Sequence, residues 1–141
     1  MSNQPTKITV SATVSAPVEK VWKYFNTPEM IMQWNNASPD WHTPKAENDL
    51  RVGGQFVYTM AAKDGSFSFD FGGVYDNVLE NQLIEYTMAD GRQVSVLFTD
   101  QNGTETYIEE TFDAESLNPV EMQQMGWQAI LNNFKAYTES N

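Results

Sequence analysis

The chain contains no cysteine and only one histidine, His42, among its 141 residues. Disulfide bonds are therefore excluded, and a zinc site would need mainly carboxylates and water, which is not the usual zinc ligand set. We accordingly expect no metal and no cofactor. A chain of this length buries about two-thirds of the surface that its unfolded form exposes. It can therefore build a core without cross-links, and we expect one domain spanning residues 1–141.

Basic side chains are also scarce, with 8 Lys and Arg against 19 Asp and Glu and a formal net charge of -11. Arg92 is the only basic residue between Asp64 and Phe134. Such a chain repels nucleic acid and anionic membranes. No apolar run is long enough to cross a bilayer, and Met1–Thr6 lacks a signal-peptide pattern. We therefore expect a cytoplasmic protein, a monomer or weak dimer, with no nucleic-acid or membrane partner.

The clearest predicted element is a C-terminal helix from Leu117 to Tyr137. Asn118 is a good N-cap residue, Pro119 suits the first helical position, and Glu121 could close a capping box. Leu117 is expected to pack against Met122 as a hydrophobic staple. A helix of about twenty residues spans roughly 30 Å, so we expect it to cross several strands.

One face of this helix repeats apolar and small residues at three- and four-residue spacing, which predicts burial. The predicted buried face comprises Met122, Met125, Gly126, Ala129, Ile130, Asn133, Phe134 and Tyr137. Gln123, Gln124 and Gln128 fall mainly on the opposite side, which we expect to face solvent.

Alternating apolar and polar residues predict a strand from Lys7 to Val14, and Pro17 and Thr27 open two short helices. We interpret Asn35–Asn48 as a loop and Asp49–Val52 as a short strand. Five more strands are predicted at Gln55–Ala62, Ser66–Val78, Leu83–Ala89, Arg92–Thr99 and Thr104–Asp113, with Asp-Gly and Asn-Gly turns between several of them. This order predicts an α+β fold, with a curved antiparallel sheet of about six to seven strands and the long helix over a cavity.

Five short motifs carry a family resemblance when they are read in order. They are Ala16-Pro17 through Val21-Trp22, Asp49 through Gly54, Gly73-Val74-Tyr75, Ile84 through Thr87, and Gly126-Trp127 with Leu131 through Phe134. The chain resembles the Bet v 1-like, or START-like (SRPBCC), helix-grip superfamily, in the branch similar to the activator of the heat-shock-protein-90 ATPase. The resemblance covers nearly the whole chain. It implies a helix-grip fold with a deep cavity beneath the last helix, where members often bind a hydrophobic small molecule.

The residues offer little for catalysis. His42 has no recognisable nucleophile motif around it, so we interpret it as a surface or loop residue. Asp70 alternates with phenylalanines and should point outward. Glu110 has the parity of inward-facing Ile108 and Phe112, and a carboxyl in an apolar cavity could act as an acid or base. The simpler interpretation is that Glu110 is solvated or paired. We therefore assign no catalytic residue.

The candidate ligand-binding residues share the inward parity of the strands or the predicted inner helix face. They are Phe56, Tyr58, Met60, Phe69, Phe71, Tyr75, Tyr86, Phe98, Glu110, Met122, Met125, Gly126 and Ala129, with Trp34, Trp41 and His42 expected at the rim. Each would also fit an ordinary core. Gly126 costs a helix about 1 kcal/mol relative to alanine, so we expect it to have a packing or binding role. Inward tyrosine hydroxyls are typical of an apolar pocket with a few polar groups.

Three functions follow as hypotheses. We favour a non-catalytic binder of a small aromatic, polyketide-like or lipid-like molecule, in a carrier, sensor or resistance role. The alternatives are a chaperone-interaction module resembling the ATPase activators, and a cyclase- or hydrolase-like enzyme that uses a cavity carboxylate. Fold alone does not choose among them.

Overall fold

A computed structural model of the protein describes residues 6–141, so most of the stretch Met1–Thr6, on which the signal-peptide expectation rests, lies outside the described residues. The elements are β1 (Lys7–Val14), α1 (Val18–Asn26), α2 (Pro28–Trp34), β2 (Trp41–Asn48), β3 (Gln55–Ala62), β4 (Ser68–Leu79), β5 (Leu83–Met88), β6 (Gln93–Gln101), β7 (Glu105–Asp113) and α3 (Val120–Ser140). The strands form one antiparallel sheet in the order β1-β7-β6-β5-β4-β3-β2. The predicted α+β helix-grip fold is confirmed. None of the helices between residues 6 and 141 has the length and apolarity needed to cross a bilayer.

The second half of the predicted loop Asn35–Asn48 is in fact strand β2. Its register with β3 shifts between His42 and Lys45, on either side of Pro44. β2 is an edge strand, and edges and bulges are the places where a sheet accepts proline. Strand β2 was therefore missed in the sequence because Pro44 favours a loop, although a proline is compatible with an edge strand.

The predicted strand Asp49–Val52 is wrong, because this segment forms a turn. The Arg51 amide donates to the Asp49 carbonyl at 2.9 Å, and the Gly54 amide donates to the Arg51 carbonyl at 2.8 Å. Gly53 has a φ of 82°, in the left-handed region that favours glycine. A Cβ at Gly54 would lie 2.1 Å from the Asp49 oxygen. Both glycines are thus required by this bend.

Helix α3 lies beside edge strand β1 and runs in the same direction. Gln128 Nε2 donates to the Ser11 carbonyl at 2.9 Å, and the Ser11 amide donates back to Gln128 Oε1 at 3.4 Å. Further along, the Ser15 amide donates to the Glu139 carboxylate at 2.8 Å. These side chains satisfy backbone groups that the edge strand would otherwise leave to solvent. The helix therefore follows one strand rather than crossing several, and only its side chains reach across the sheet.

The start of α3 differs from the predicted capping box. The helix begins at Val120, Pro119 occupies the N-cap position, and no side chain caps the first turn. Leu117 and Met122 are 88% and 57% exposed, so they form no staple. The expected role of Asn118 as N-cap was wrong. The loop before α3 is held instead by a side chain from the second turn of the helix.

That side chain is Gln123, which was predicted to face solvent but is buried. Its Oε1 accepts from the Glu115 amide at 2.8 Å, and its Nε2 donates to the Asn118 carbonyl at 2.8 Å and the Glu115 carbonyl at 3.1 Å. The amide group thereby satisfies three backbone groups of the preceding loop. Burial of a glutamine is tolerated here because all of its polar atoms are used.

The inward face of α3 is rotated by about one residue from the predicted face. Its buried residues are Gln123, Leu131, Phe134 and Thr138, and the half-buried Trp127 lies between them. Met125, predicted to be inside, is 72% exposed. The pattern had counted methionines as core residues and glutamines as surface residues. Gln123 is buried because it bonds to backbone groups, and the large Trp127 indole packs against the sheet, whereas Gln124 is exposed as predicted.

Candidate ligand-binding cavity

A cavity of about 340 Å³ lies between the sheet and α3. Its lining consists of Phe56, Tyr58 and Met60 on β3; Phe69, Phe71 and Tyr75 on β4; Ile84, Tyr86 and Glu110 on β5 and β7; Met122, Gln123, Gly126, Trp127 and Ile130 on α3; and Phe25, Asn26, Trp34, Asn35, Ala37, Arg92 and Asn118 on the remaining segments. Most of these side chains are aromatic or aliphatic. Small-molecule sites typically have about 300–1,000 Å³ and such a lining with a few polar groups.

The sheet side of the cavity is an aromatic wall centred on Phe56. Its ring lies 4.7 Å from the Tyr86 ring, 5.0 Å from the Tyr58 ring and 5.3 Å from the Tyr75 ring, measured between centroids. Phe56 pairs with Gly73 across the β3–β4 ladder, and a Cβ at Gly73 would come within 3.3 Å of the Phe56 ring. The missing side chain at Gly73 therefore gives the Phe56 ring its room on the inner face.

The helix side of the cavity is formed chiefly by Trp127. Its ring stacks on Phe112 of β7 and meets Phe71 of β4 edge-on, with a centroid distance of 5.9 Å to Phe71. The neighbouring Gly126 does not serve close packing, because an added Cβ would meet no atom within 4 Å. Of the two roles expected for Gly126, packing is therefore wrong. The glycine borders open space.

Three aromatic rings from different helices close one end of the cavity. Phe25 of α1 stacks on Trp34 of α2 at 5.4 Å, and Phe134 of α3 packs edge-on against Trp34 at 4.9 Å and against Phe25 at 5.2 Å. The Trp34 Nε1 donates to the Tyr24 carbonyl at 3.0 Å. The indole thus shows its apolar face to the cavity while its polar atom is satisfied behind it.

A hydrogen-bond chain leads away from the cavity through Tyr75. The Tyr75 hydroxyl donates to Asn48 Oδ1 at 2.5 Å, and Asn48 Nδ2 donates to the Asn26 carbonyl at 2.8 Å. Tyr58 lies near Tyr75, and burial raises the pKa of both tyrosines above the ordinary value, so they stay neutral. The structure thus supplies a partner for the Tyr75 hydroxyl.

Glu110 is the acidic group of the cavity. Glu110 is only 8% exposed. Burial alone raises the pKa of its carboxyl to about 8, and no hydrogen bond or charge from the described residues opposes this rise. The expectation of a solvated or paired Glu110 is therefore wrong, although its inward parity was predicted correctly. Nearby Tyr86 also has a raised pKa, first from burial and then from the Glu110 charge.

The cavity has one cation among the residues described, Arg92 in the turn between β5 and β6. Its Nε contacts Asp90 Oδ2 at 2.7 Å, so its charge is paired. Within residues 6–141, no group of three or more histidines and carboxylates is arranged to hold a metal ion. Arg92 is therefore not the partner of Glu110, and the two side chains are separate polar groups of the cavity lining.

Five predicted site residues do not line the cavity. Trp41 packs against Phe67 and Phe69, with a distance of 6.0 Å between ring centroids in each pair, and His42 is exposed on β2. Phe98 is buried in the core against Trp22 and Phe25. Met125 is exposed and Ala129 is half-buried outside the lining. The other predicted positions are Trp34, Phe56, Tyr58, Met60, Phe69, Phe71, Tyr75, Tyr86, Glu110, Met122 and Gly126, and all of them border the cavity.

Sequence reasoning missed several lining residues, of which Trp127 is the largest. Trp127 lies four residues after Gln123, so the helical period could have found it had Gln123 been placed inside. Ile130 was predicted on the buried helix face and borders the cavity, although it was not named as a ligand-binding residue. Arg92 carried a signal of its own as the sole basic residue between Asp64 and Phe134. Asn26 ends α1, and Asn35 and Ala37 follow α2; no pattern in the sequence indicated that these residues lie close to the sheet.

Comparison with known proteins places this geometry in a family. The family described as "Activator of Hsp90 ATPase homolog 1-like protein" matches residues 15–139, whereas the curated proteins give no significant match. The solution structure of the AHSA1-like protein from Aeromonas hydrophila is 46% identical, with a TM-score of 0.88 over 96% of this chain and 93% of that one. A solution structure from Cytophaga hutchinsonii is 64% identical, with a TM-score of 0.82 over the same shares. A crystal structure from Chromobacterium violaceum, 23% identical over 97% of this chain and all of that one (100%), shares the fold with a TM-score of 0.86. The chain therefore belongs to the family of Activator of Hsp90 ATPase homolog 1-like proteins.

Proposed function

We propose that the protein binds a small, mainly apolar molecule of aromatic, polyketide-like or lipid-like character in the cavity and releases it unchanged. The observation that carries the proposal is the volume of about 340 Å³ enclosed by an aromatic wall, the indole of Trp127 and a few polar groups. A carrier, a sensor and a resistance protein would each use such a site.

The size of the cavity argues against a packing defect. Apolar side chains that line an unfilled space lose packing contacts and part of the free energy that their burial would contribute. A side chain at Gly126 would meet no atom within 4 Å, so the chain has a ready way to reduce the volume. Keeping it open is understandable if a ligand occupies it.

A catalytic role is less well supported. Glu110 could exchange a proton with a bound molecule because its pKa is raised to about 8. A nucleophile held by a base would also be expected in a hydrolase, and the lone histidine, His42, is exposed on β2. We therefore retain the non-catalytic reading.

A chaperone-interaction module is the second candidate, and the family description favours it. The start of α3 exposes apolar side chains, with Leu117 88%, Met122 57% and Met125 72% accessible, and protein partners often cover such surfaces. Stimulation of the chaperone's ATPase by the protein, and its loss in Met125→Glu, would be measured directly. An ATPase rate that the wild-type protein leaves unchanged would remove this candidate.

Protein-observed NMR titration with flavonoids, fatty acids and polyketides tests the ligand proposal. We expect saturable shifts at Tyr58, Tyr86 and Trp127 with at least one class. Gly126→Leu should fill the cavity and abolish these shifts, while Ala136→Leu, at an exposed site on the same helix, should preserve them. Absence of shifts for every class would count against the proposal, as would equal binding by both variants.

A further inference from the structure

The buried polar groups of the cavity differ in whether they have partners. Asn26 Nδ2 donates to the Trp22 carbonyl at 2.9 Å, and Asn35 Nδ2 donates to Thr43 Oγ1 at 3.2 Å. Gln123 and Tyr75 use their polar atoms as described above. The Glu110 carboxyl and the Tyr58 and Tyr86 hydroxyls form no hydrogen bond with another side chain or backbone group among residues 6–141, and all three residues line the cavity. Buried polar groups normally find a partner, so these are the groups that a ligand would satisfy.

The charge around Glu110 favours a positive partner. Arg92, the cation of the lining, is held by Asp90, and no charged group lowers the Glu110 pKa. The whole chain carries a formal net charge of -11, and a field of this sign concentrates cations near the surface and repels anions. An anionic ligand would bring a second negative charge to an unpaired carboxyl.

Aromatic rings flank the carboxyl on the same face of the sheet. Glu110 is two residues from Phe112 on β7, and the Trp127 ring covers Phe112 at 3.9 Å. Tyr86 lies close enough for the Glu110 charge to affect it. Aromatic faces attract ammonium groups by about 0.5–2 kcal/mol each, most strongly when water is excluded. A carboxyl set among such rings matches a protonated amine on an apolar body.

We propose that the ligand of this cavity is a lipophilic amine, whose ammonium group pairs with Glu110 and lies against the neighbouring aromatic rings. The inference rests on the proposed binding function and names its ligand class. On binding, Glu110 loses its proton to solvent while the ammonium keeps its own, so one proton is released and the two charges pair inside the cavity.

The pH dependence of this pairing is set by Glu110 and the groups that face it. The other titratable or charged groups of the lining are Tyr58 on β3, Tyr75 on β4, Tyr86 on β5 and Arg92 in the turn after β5. The lining residues of the three helices are neutral. On the neighbouring strands, Val10 of β1 and Val96 of β6 pair with Glu110. Burial raises the pKa of all three tyrosines, which therefore stay neutral. Amine affinity should therefore rise about tenfold per pH unit up to about pH 8 and then level off.

Three matched sets of probes separate the amine from the apolar body. They are tryptamine, tryptophol and indole-3-acetate; 2-naphthylmethylamine, 2-naphthylmethanol and 2-naphthoate; and decylamine, decanol and decanoate. Isothermal titration at pH 8 would give the affinities for the wild type, Glu110→Gln and Glu109→Gln. Glu109 is the matched control because it is the adjacent carboxylate, half-buried near Tyr107, and points to the other face of β7.

We expect the amine of at least one set to bind at least tenfold more tightly than its alcohol. Glu110→Gln should erase this preference and Glu109→Gln should keep it. An alcohol or carboxylate that binds as tightly as the amine, or a preference that survives Glu110→Gln, overturns the inference and leaves the binding function intact. Failure of every probe to bind overturns both.

A second measurement does not depend on a variant that folds. Carboxyl ¹³C NMR of the wild type would follow the Glu110 titration, whose midpoint we expect at about pH 8 without ligand. Saturating amine should lower this midpoint by at least one pH unit, and the matched alcohol should not. An unchanged midpoint with bound amine would contradict the proposed ion pair.

Discussion

The indole of Trp127 lies nearly parallel to the phenyl ring of Phe112, with ring centroids 3.9 Å apart and planes at 13°. The same indole meets Phe71 edge-on at 5.9 Å. One side chain of α3 therefore connects β7 with β4 above the inner face of the sheet. The backbone of α3 follows β1 at the edge of the sheet. The packing of Trp127 on Phe112 and Phe71 is therefore what holds the inner face of the helix over the cavity.

Truncation of Trp127 should loosen α3 from the sheet. We expect Trp127→Ala to lower the free energy of unfolding by about 3 kcal/mol, since removing a large aromatic from a packed site costs about 3–5 kcal/mol and this ring is only half-buried. Trp127→Phe should retain the stack and lose less than half as much. Urea unfolding monitored by far-UV circular dichroism gives both values. A loss below 1 kcal/mol for the alanine variant would show that the stack does not hold the helix.

The fold could be predicted from the sequence because its signals are local. Alternation along β3 to β7 and Asp-Gly or Asn-Gly turns specify neighbouring antiparallel strands, and Gly65, Gly91 and Gly103 all have the positive φ that such turns use. Strand β2 was missed because Pro44 normally indicates a loop. Only the tertiary structure shows that this proline sits at a sheet edge.

The site was harder to predict, because parity gives the face of a strand but not what covers it. Glu110 was placed on the correct face, yet the absence of a partner depends on which residues of other elements share the cavity with it. The face of α3 was misjudged by one residue, because Gln123 and Gln128 bond to backbone groups far away in sequence or in the preceding loop. Those partners are not visible in a helical pattern.

Burial of Glu110 should make stability fall as pH rises. Its pKa is about 8 in the folded protein against an ordinary value of 4.5, so the folded state holds a proton that the unfolded state has lost between these values. The favourable contribution is complete below about pH 4.5 and is gone above about pH 8. We expect Glu110→Gln to be about 2–4 kcal/mol more stable than the wild type at pH 8.5, at about 1.4 kcal/mol per pKa unit, with the difference closing near pH 4.5.

Glu109→Gln provides the control for this comparison, because it removes the same charge from the opposite face of β7. Urea unfolding at pH 4.5, 6.5 and 8.5 would give the three free energies for each protein. If the gap between Glu110→Gln and the wild type is the same at all three values, Glu110 is not isolated from solvent in the folded protein.

The hydrogen bonds of Gln128 to Ser11 should control the free edge of β1. Gln128→Ala removes a 2.9 Å bond to the Ser11 carbonyl and the partner of the Ser11 amide. We expect a loss of about 1–2 kcal/mol in unfolding free energy and faster hydrogen exchange at the Ser11 amide. Gln124 Nε2 donates to the Thr9 carbonyl at 3.5 Å and not to Ser11, so Gln124→Ala should leave the Ser11 amide protected. Equal exchange at Ser11 in all three proteins would rule out this attachment.

Gly126 gives a prediction in which stability and binding change in opposite directions. Alanine is favoured over glycine by about 1 kcal/mol inside a helix, and an added Cβ meets no atom within 4 Å. We therefore expect Gly126→Ala to unfold with a free energy about 0.5–1 kcal/mol higher than the wild type. Because Gly126 borders the cavity, the new methyl group should also weaken binding of any probe that fills it.

The reverse change, Ala136→Gly at an exposed site on the same helix, measures helix propensity alone. It should cost about 1 kcal/mol and leave ligand affinity unchanged. Thermal unfolding and probe titration on the same samples test both halves. If Gly126→Ala destabilises the protein, the space beside Gly126 is occupied. If it stabilises the protein but leaves every affinity unchanged, ligands do not reach this part of α3. Only greater stability with weaker binding agrees with a helix that gives up packing to keep a binding cavity open.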